Sequence, residues 1–311
     1  MKEKVFNIII ILISLFFLLE LFISRSIINS SVIYALKLWV NTLIPSLFPF
    51  FIISDILINY NIINYIPKCI KDFLKKLFNI NDNMLTILIL SMMSGFPSNA
   101  RNTRIMYDKR YITLEEANHI LIFTHFANPI FILTTVAVFF LHNKKVGYLL
   151  LGTHYLSNFI LGIVFRGNNK YIDTDNNNIN NNTTFGEVLV LAIKRAIDTI
   201  LTISGIITIF LILASIIINT FNITGYTKMI IKGFFEITIG IEELSNLLLS
   251  NRYMTIITSM FLAFGGISVH MQVLSQIADT KIKYIYFFIG RMYQLLLAGI
   301  LTYLSCIIFG I

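Results

Sequence analysis

Long apolar runs separated by short polar stretches dominate the pattern along this chain. Full-length runs lie at residues 5–23, 32–58, 117–141, 146–165, 197–220 and 284–309. About 20 helical residues cross the hydrocarbon core of a membrane, and these runs are apolar on every side. Each is therefore predicted to be a transmembrane helix. A more polar run at 230–249 is predicted as a further span.

Two further apolar runs stop after about half the length that a span requires. The first begins at Met84 and stops at Gly95 and Pro97, and the second begins at Tyr253 and stops at Gly265. Proline lacks an N–H donor and glycine is conformationally free, so both residues end helices. Backbone groups freed inside a membrane must face protein or water. The paired breaks therefore indicate a cavity of the kind that transporters use for binding.

The two breaks also suggest an internal repeat. A shift of 170 residues, the separation of Gly95 and Gly265, also aligns Ser98 with Ser268 and Asn102 with Gln272. The sequence thus predicts an all-α polytopic membrane protein. It has about eight transmembrane segments in two inverted pseudo-repeats, each with a discontinuous or re-entrant helix.

An asparagine-rich stretch, "DTDNNNINNNTT", separates the two halves. Because it cannot bury enough apolar surface to fold, it is predicted to be a flexible linker. The predicted units are an N-terminal transmembrane helix at 1–30, a first repeat at 31–166, the linker at 167–186 and a second repeat at 187–311.

Composition and charge agree with a membrane protein. Hydrophobic residues make up 56% of the chain and charged residues 13%, whereas soluble domains contain about 25% charged residues. The net charge is +8, but most lysines and arginines flank apolar runs, so the lipid bilayer rather than nucleic acid is the predicted partner. Lys2 and Lys4 place the N-terminus in the cytoplasm. The basic amphipathic segment 61–83 is predicted at the same interface, whereas Lys144 and Lys145 fall outside and count against this orientation.

Catalytic and metal-binding patterns were not found in the sequence. The two cysteines and five histidines have neither the spacing of a disulfide framework nor that of a metal site. No nucleophile–base pair, P-loop or dinucleotide-binding motif occurs. We therefore predict that the protein is not an enzyme and needs no metal or other cofactor.

The first break has features of an anion site. A helix that restarts at Ser98 and Asn99 points its free N–H groups and positive dipole end at the break. Arg101 and Arg104 lie three residues apart on one face of that helix, and an arginine in the membrane costs roughly 2.5–3.5 kcal/mol. We expect a small anionic substrate to compensate them. For Arg104, a surface charge paired with Asp108 is an equal alternative.

Other polar residues in apolar surroundings extend the predicted cavity. Asn128, next to a proline, either contacts substrate or sits in a kink satisfied by a neighbouring helix, and Glu236 is either a buried ion-coupling site or a loop carboxylate. His125 is expected to pack in the interior. The complete set of predicted substrate-binding residues is Gly95, Pro97, Ser98, Asn99, Arg101, Asn102, Arg104, Thr124, Asn128, Glu236, Thr238, Gly265, Gly266, Ser268 and Gln272.

Five motifs carry a family resemblance. They are "LKLWVNTLIPSLFPFFIISDIL" (36–57), "SGFPSNA" (94–100), "FTHFANPIFI" (123–132), "THYLSN" (153–158) and "GFFEITIGI" (233–241). In this order they resemble the YlbJ-type sporulation integral membrane proteins of the nucleoside-recognition Gate group. That group is similar in fold to the concentrative nucleoside transporters. One departure is Asn99, which stands where the family loop usually has its second glycine.

The resemblance implies a bacterial membrane protein of endospore formers, located in the mother-cell membrane around the forespore. It also implies a trimer or another homo-oligomer. Since the best-known member of the family moves dipicolinic acid, the leading hypothesis is a carrier of a small carboxylate, dipicolinate above all, by alternating access. One alternative is a nucleoside carrier that uses Asn128, Gln272 and Glu236, with Arg101 structural. Another is a spore-envelope assembly protein that transports nothing.

Overall fold

The structure, a computed structural model, describes residues 2–167 and 184–310, and all regular secondary structure within them is helical. The predicted linker lies almost wholly outside these residues. The α-helices are α1 Lys2–Ile23, α2 Arg25–Leu38, α3 Ile44–Asn59, α4 Lys68–Phe78, α5 Asp82–Ser94, α6 Ser98–Asp108, α7 Leu114–Ile120, α8 Lys144–Val164, α9 Phe185–Thr220, α10 Gly225–Phe235, α11 Ile237–Ser245, α12 Asn251–Phe264, α13 Gly266–Ile277 and α14 Tyr284–Phe309. Two π-helical segments, Trp39–Leu43 and Phe131–Phe140, and a short 3₁₀-helix, Ile62–Tyr65, complete the described secondary structure.

Six segments of the described chain are long and apolar enough to cross a membrane. They are Lys4–Ile23, Arg25–Asn59, Lys144–Val164, Phe185–Thr220, Asn251–Ile277 and Tyr284–Phe309. This confirms the all-α polytopic membrane fold. The helix predicted at 197–220 begins earlier, because Thr184 and Glu187 form a capping box that starts α9 at Phe185.

The first break belongs to a re-entrant hairpin rather than to a span. Asn83, at the start of α5, donates a hydrogen bond to the carbonyl of Tyr111, just past the end of α6, at 2.7 Å. Both ends of the hairpin therefore lie on one side of the membrane, and Gly95–Pro97 forms its tip. We call α5–α6 the first hairpin.

The predicted span at 230–249 is wrong, because this segment forms a second hairpin, α10–α11. Lys232 on α10 donates to Glu243 on α11 at 2.6 Å. A Cβ added to Gly240 would lie only 2.2 Å from the Cα of Gly233, so the two arms are in direct contact. Glu236 is extended at the tip and accepts from the N–H of Thr238 in the first turn of α11.

Two spans are interrupted near their middle. The predicted helix at 117–141 is not continuous: α7 ends at Ile120, and the π-helix starts only at Phe131. Asn128 caps the second part, since its Oδ1 accepts from the N–H of Ile130 at 2.8 Å. The other interrupted span, α12–α13, breaks at Gly265 with φ +86°, as predicted.

The element order reveals the repeat and corrects the alignment made from sequence. Each half contains a hairpin, an interrupted span and a continuous helix: α5–α6, α7 with its π-helix, and α8; then α10–α11, α12–α13, and α14. The break at Gly265 therefore corresponds to the break before Asn128, and the tip at Gly95 corresponds to Glu236. The 170-residue shift was wrong because it paired a hairpin tip with an interrupted span.

The two hairpins enter from opposite sides of the membrane. We call the side on which α1 begins the N-side. The chain returns to it at Asn59, which accepts a hydrogen bond from Lys109 at the base of the first hairpin. On the other side, Thr220 at the end of α9 donates to Glu20 near the end of α1 at 3.2 Å, and the second hairpin follows. The repeats are thus inverted, and the basic helix α4 lies on the N-side, where Lys75 pairs with Asp82 at 2.7 Å.

Candidate functional site

The two hairpin tips and the two span interruptions meet inside the protein. Gly95 (φ +81°) packs so closely on the span interruption at Asn128 that an added Cβ would lie 2.5 Å from the backbone nitrogen of that residue. A Cβ on Gly266 (φ +70°) would lie 3.2 Å from the carbonyl oxygen of Phe235, beside the second tip. Glycine is required at both positions because of the positive φ and because backbone approaches backbone.

A small cavity lies where the two hairpin tips and the two span interruptions meet. Its volume is about 40 Å³, room for a few water molecules but not for an organic solute in this conformation. We call it the central cavity. The polar side chains in its wall are Ser46, Asn128, Glu236, Thr238 and Gln272. Four of these five were predicted as substrate-binding residues, and Ser46 was not. No lysine, arginine or histidine is among the lining residues that the structure describes.

Glu236 supplies the charge of the central cavity. Its side chain is buried and accepts a hydrogen bond from the N–H of Thr238 at 3.0 Å and another from the hydroxyl of Ser268. These donors lie in the first turns of α11 and α13, whose positive dipole ends favour an anion. A carboxylate can therefore be held here without a basic partner.

Asn128 joins its interrupted span to the first hairpin. Its Oδ1 accepts from the backbone of Ile130, and its Nδ2 donates to the carbonyl of Ser94 at 3.2 Å. Both functional groups of this amide thus already have backbone partners, so Asn128 fixes the wall while one face remains in the cavity.

Arg101 lies away from the central cavity, in an ion pair that the sequence analysis missed. The guanidinium binds both oxygens of Asp55, at 2.6 and 3.1 Å, and its Nε donates to Thr199 at 3.2 Å. Both charged side chains are buried. The anion that compensates Arg101 here is a residue of the chain itself, and a substrate contact of Arg101 stays a prediction. The signal for Asp55 was available, since it is a lone acid in the apolar run 32–58.

Arg104 ties the first hairpin to α13. It pairs with Asp108 at 2.5 Å, as its spacing predicted, and also with Asp279 beyond the end of α13. The hydrogen bond from Arg104 lowers the pKa of the Asp279 carboxyl. This network lies at the mouth of an open cleft of about 480 Å³ on the N-side, lined also by Arg101, Lys109, Arg195 and Asp198. We call it the N-side cleft.

Several predicted residues lie inside the first hairpin or near it, but not in the wall of the central cavity. Asn102 donates to the hydroxyl of Ser98 at 3.0 Å, and Thr124 donates to the carbonyl of Ile120 at 2.7 Å. The side chain of Asn99 is buried, and neither of its polar atoms has a protein partner. Pro97 belongs to the turn at the tip.

His125 and Arg291 occupy the interior behind the cavity. His125 packs as expected, stacked on Phe96 at 5.0 Å between ring centroids. Arg291 was missed, although it is a lone cation in the apolar run 284–309. It is fully buried and donates to the carbonyl oxygens of Ala263 and Ile122, at 3.4 and 3.2 Å. Ala263 lies in the last turn of α12, so Arg291 neutralises the negative end of that helix, as Glu236 does for positive ends.

Comparison with known proteins supports the family resemblance. Residues 40–144 match the Gate family, described as nucleoside recognition. The chain is 28% identical over 309 residues to the sporulation integral membrane protein YlbJ of Bacillus subtilis (strain 168), a match that covers 86% of this chain and 75% of the relative. No solved structure matches. The chain is therefore an integral membrane protein similar to YlbJ, with a Gate segment that contains the first hairpin and the span interrupted before Asn128.

Proposed function

We propose that this chain is a secondary carrier that moves a small polar solute through the central cavity by alternating access. One observation carries the proposal: two hairpins from opposite sides and two interrupted spans converge on one small cavity with five polar side chains in its wall. Each hairpin closes the cavity toward one side of the membrane. Movement of one hairpin at a time would open the site to one side only, which is the requirement for coupled transport.

A small carboxylate, with dipicolinate as the first candidate, is the substrate class that we favour. Amide and hydroxyl groups of Gln272, Thr238 and Ser46 offer donors to its oxygens. Glu236 lies in the same wall, and two facing carboxylates repel each other. A proton must therefore sit between them, on the substrate or on Glu236, when such an anion binds.

A nucleoside is the second candidate, and a specific observation favours it. The hydroxyl groups of a sugar can donate to the carboxylate of Glu236 without any added proton, and Arg101 is already occupied by Asp55. In this case Asn128 and Gln272 would complete the contacts to the sugar.

Uptake into proteoliposomes tests the carrier and separates the two substrates. We expect labelled dipicolinate to accumulate above the level of protein-free liposomes, and unlabelled uridine to leave that uptake unchanged. The nucleoside alternative predicts the reverse. If neither solute moves and neither one binds the purified protein, the carrier proposal fails and a spore-envelope assembly role is favoured.

A pair of variants on α13 connects the flux to the central cavity. Gln272→Ala removes a lining amide, and we expect substrate affinity to fall about three- to tenfold, the usual effect of one lost hydrogen bond. Gln276 lies one turn away, in the wall of the N-side cleft. Gln276→Ala is the matched control, and we expect it to leave the affinity of the central cavity for substrate unchanged.

A further inference from the structure

The charges of the N-side cleft form two groups, one around the buried pair of Arg101 and Asp55 and one around Arg104. At the inner end Asp55 is bound by Arg101, and Arg195 lies 3.9 Å from one oxygen of the same carboxylate. Lys109 also lines the cleft, and its Nζ donates to the side chain of Asn59. Burial first, and then the nearby charge of Arg195, lower the pKa of the Lys109 ammonium. Arg101, Arg195 and Lys109 therefore line the same cleft, and the first two lie within 4 Å of Asp55.

The outer rim of the cleft has the opposite balance. There Arg104 is shared between Asp108 and Asp279, and Asp198 adds a third carboxylate. The cleft as a whole is near neutral, but its inner end keeps an excess of positive charge. Excess charge in a partly buried site attracts a counter-ion more strongly than it would in bulk water, because screening is weaker there.

Asp55 has a second arginine near its carboxylate. The side chain of Arg195 is about half exposed and can move toward Asp55. An anion that binds between Lys109 and Arg101 would replace Asp55 at the bidentate guanidinium, and Asp55 would pair with Arg195 instead. No net charge is created in the interior by this exchange.

We propose that the inner end of the N-side cleft is a binding site for the carboxylate of a small organic anion, held by Arg101, Lys109 and Arg195 in exchange for Asp55. This site would be a waiting position for the solute outside the central cavity, and that role rests on the proposed carrier function. Binding itself does not depend on transport.

Calorimetric titration of the detergent-purified full chain with dipicolinate tests the site, with uridine and inorganic phosphate as the other probes. In the double variant Lys109→Gln, Arg195→Gln we expect the affinity for dipicolinate to fall at least tenfold and the affinity for uridine to stay unchanged. The double variant Lys144→Gln, Lys145→Gln removes the same charge from the start of α8 on the opposite side and is the matched control. Equal dipicolinate affinity in both double variants overturns the proposal, and a stronger response to phosphate than to dipicolinate overturns its carboxylate specificity.

Asp55→Asn tests the exchange in the other direction. It removes the internal competitor, so we expect at least tenfold tighter dipicolinate binding, with a steeper loss of affinity as salt is added. A folded Asp55→Asn protein that binds no more tightly than wild type contradicts the exchange. If this variant does not fold, the Lys109 and Arg195 titration still decides the site. If dipicolinate binding requires Lys109 and Arg195 but proteoliposomes show no flux, the site is supported and the carrier proposal fails.

Discussion

The central cavity and the N-side cleft solve the problem of polar groups in a membrane in different ways. In the central cavity the only charged lining residue of the described chain, Glu236, is held by hydroxyl and backbone donors at helix ends. In the cleft, charges are held by opposite charges, as Arg101 is by Asp55. Helix ends can stabilise a charge without occupying space in front of it, so the central cavity needs no basic side chain in its wall. In the open cleft, a paired arginine becomes free to bind a solute only when its ion pair is exchanged.

The largest expected effect concerns the ion pair at the inner end of the cleft. Arg101→Met breaks a buried ion pair and leaves Asp55 with only Arg195 nearby, at 3.9 Å, and breaking a buried pair costs about 3–5 kcal/mol. Arg104→Met on the same helix removes a partly exposed pair, which costs roughly 0–1 kcal/mol. We expect thermal unfolding in detergent to show a large loss for the first variant and a small one for the second. Similar losses would contradict the assignment of Arg101 to a buried pair.

The next effect concerns the close approach of the first hairpin's tip, at Gly95, to the span interruption at Asn128. Gly95→Ala places a Cβ 2.5 Å from the backbone of Asn128 at φ +81°, and such overpacking costs about 1–3 kcal/mol. Gly205→Ala on α9, where an added Cβ has no neighbour within 4 Å, is the control. It is expected to stabilise the protein by roughly 0.5–1 kcal/mol. Unchanged stability in Gly95→Ala would mean that the tips do not meet as described.

A smaller effect is the pH dependence of dipicolinate affinity at the central cavity. If dipicolinate binds beside Glu236 with uptake of one proton, its affinity rises as pH falls, by up to about tenfold per pH unit, or 1.4 kcal/mol. Glu236→Gln removes this dependence if the proton sits on Glu236. Uridine binding should show no such slope. Titrations of dipicolinate at several pH values with wild type and Glu236→Gln check this, and a flat wild-type profile contradicts the shared proton.

Much of the fold could be predicted from hydrophobic length alone. The spans and the stop at Gly95 follow from how many apolar residues a membrane requires and from what glycine and proline do to a helix. What length could not distinguish is a hairpin from a broken span. Both read as a short apolar run with a polar break, and only contacts such as that between Asn83 and Tyr111 show that the chain turns back.

The site was predicted in part for a similar reason. Lone polar residues in apolar runs, such as Glu236 and Asn128, were recognised because a membrane tolerates few of them. Asp55 and Arg291 carry the same signal, but neither was among the predicted site residues. Which buried charges pair with each other depends on contacts between distant helices, as between α3 and α6, and no local pattern encodes these contacts.

Labelling of a single cysteine at the bottom of the central cavity tests the central claim most directly. The variant Gln272→Cys is made with Cys69 and Cys306 replaced by serine, and Ile300→Cys, on the exposed surface of α14, is the lipid-facing control. We expect a charged, membrane-impermeant thiol reagent to label position 272 and not position 300, and dipicolinate or uridine to slow the labelling. Two results would contradict a solute-binding central cavity. One is that position 272 is never labelled from water, and the other is that both solutes leave its labelling rate unchanged.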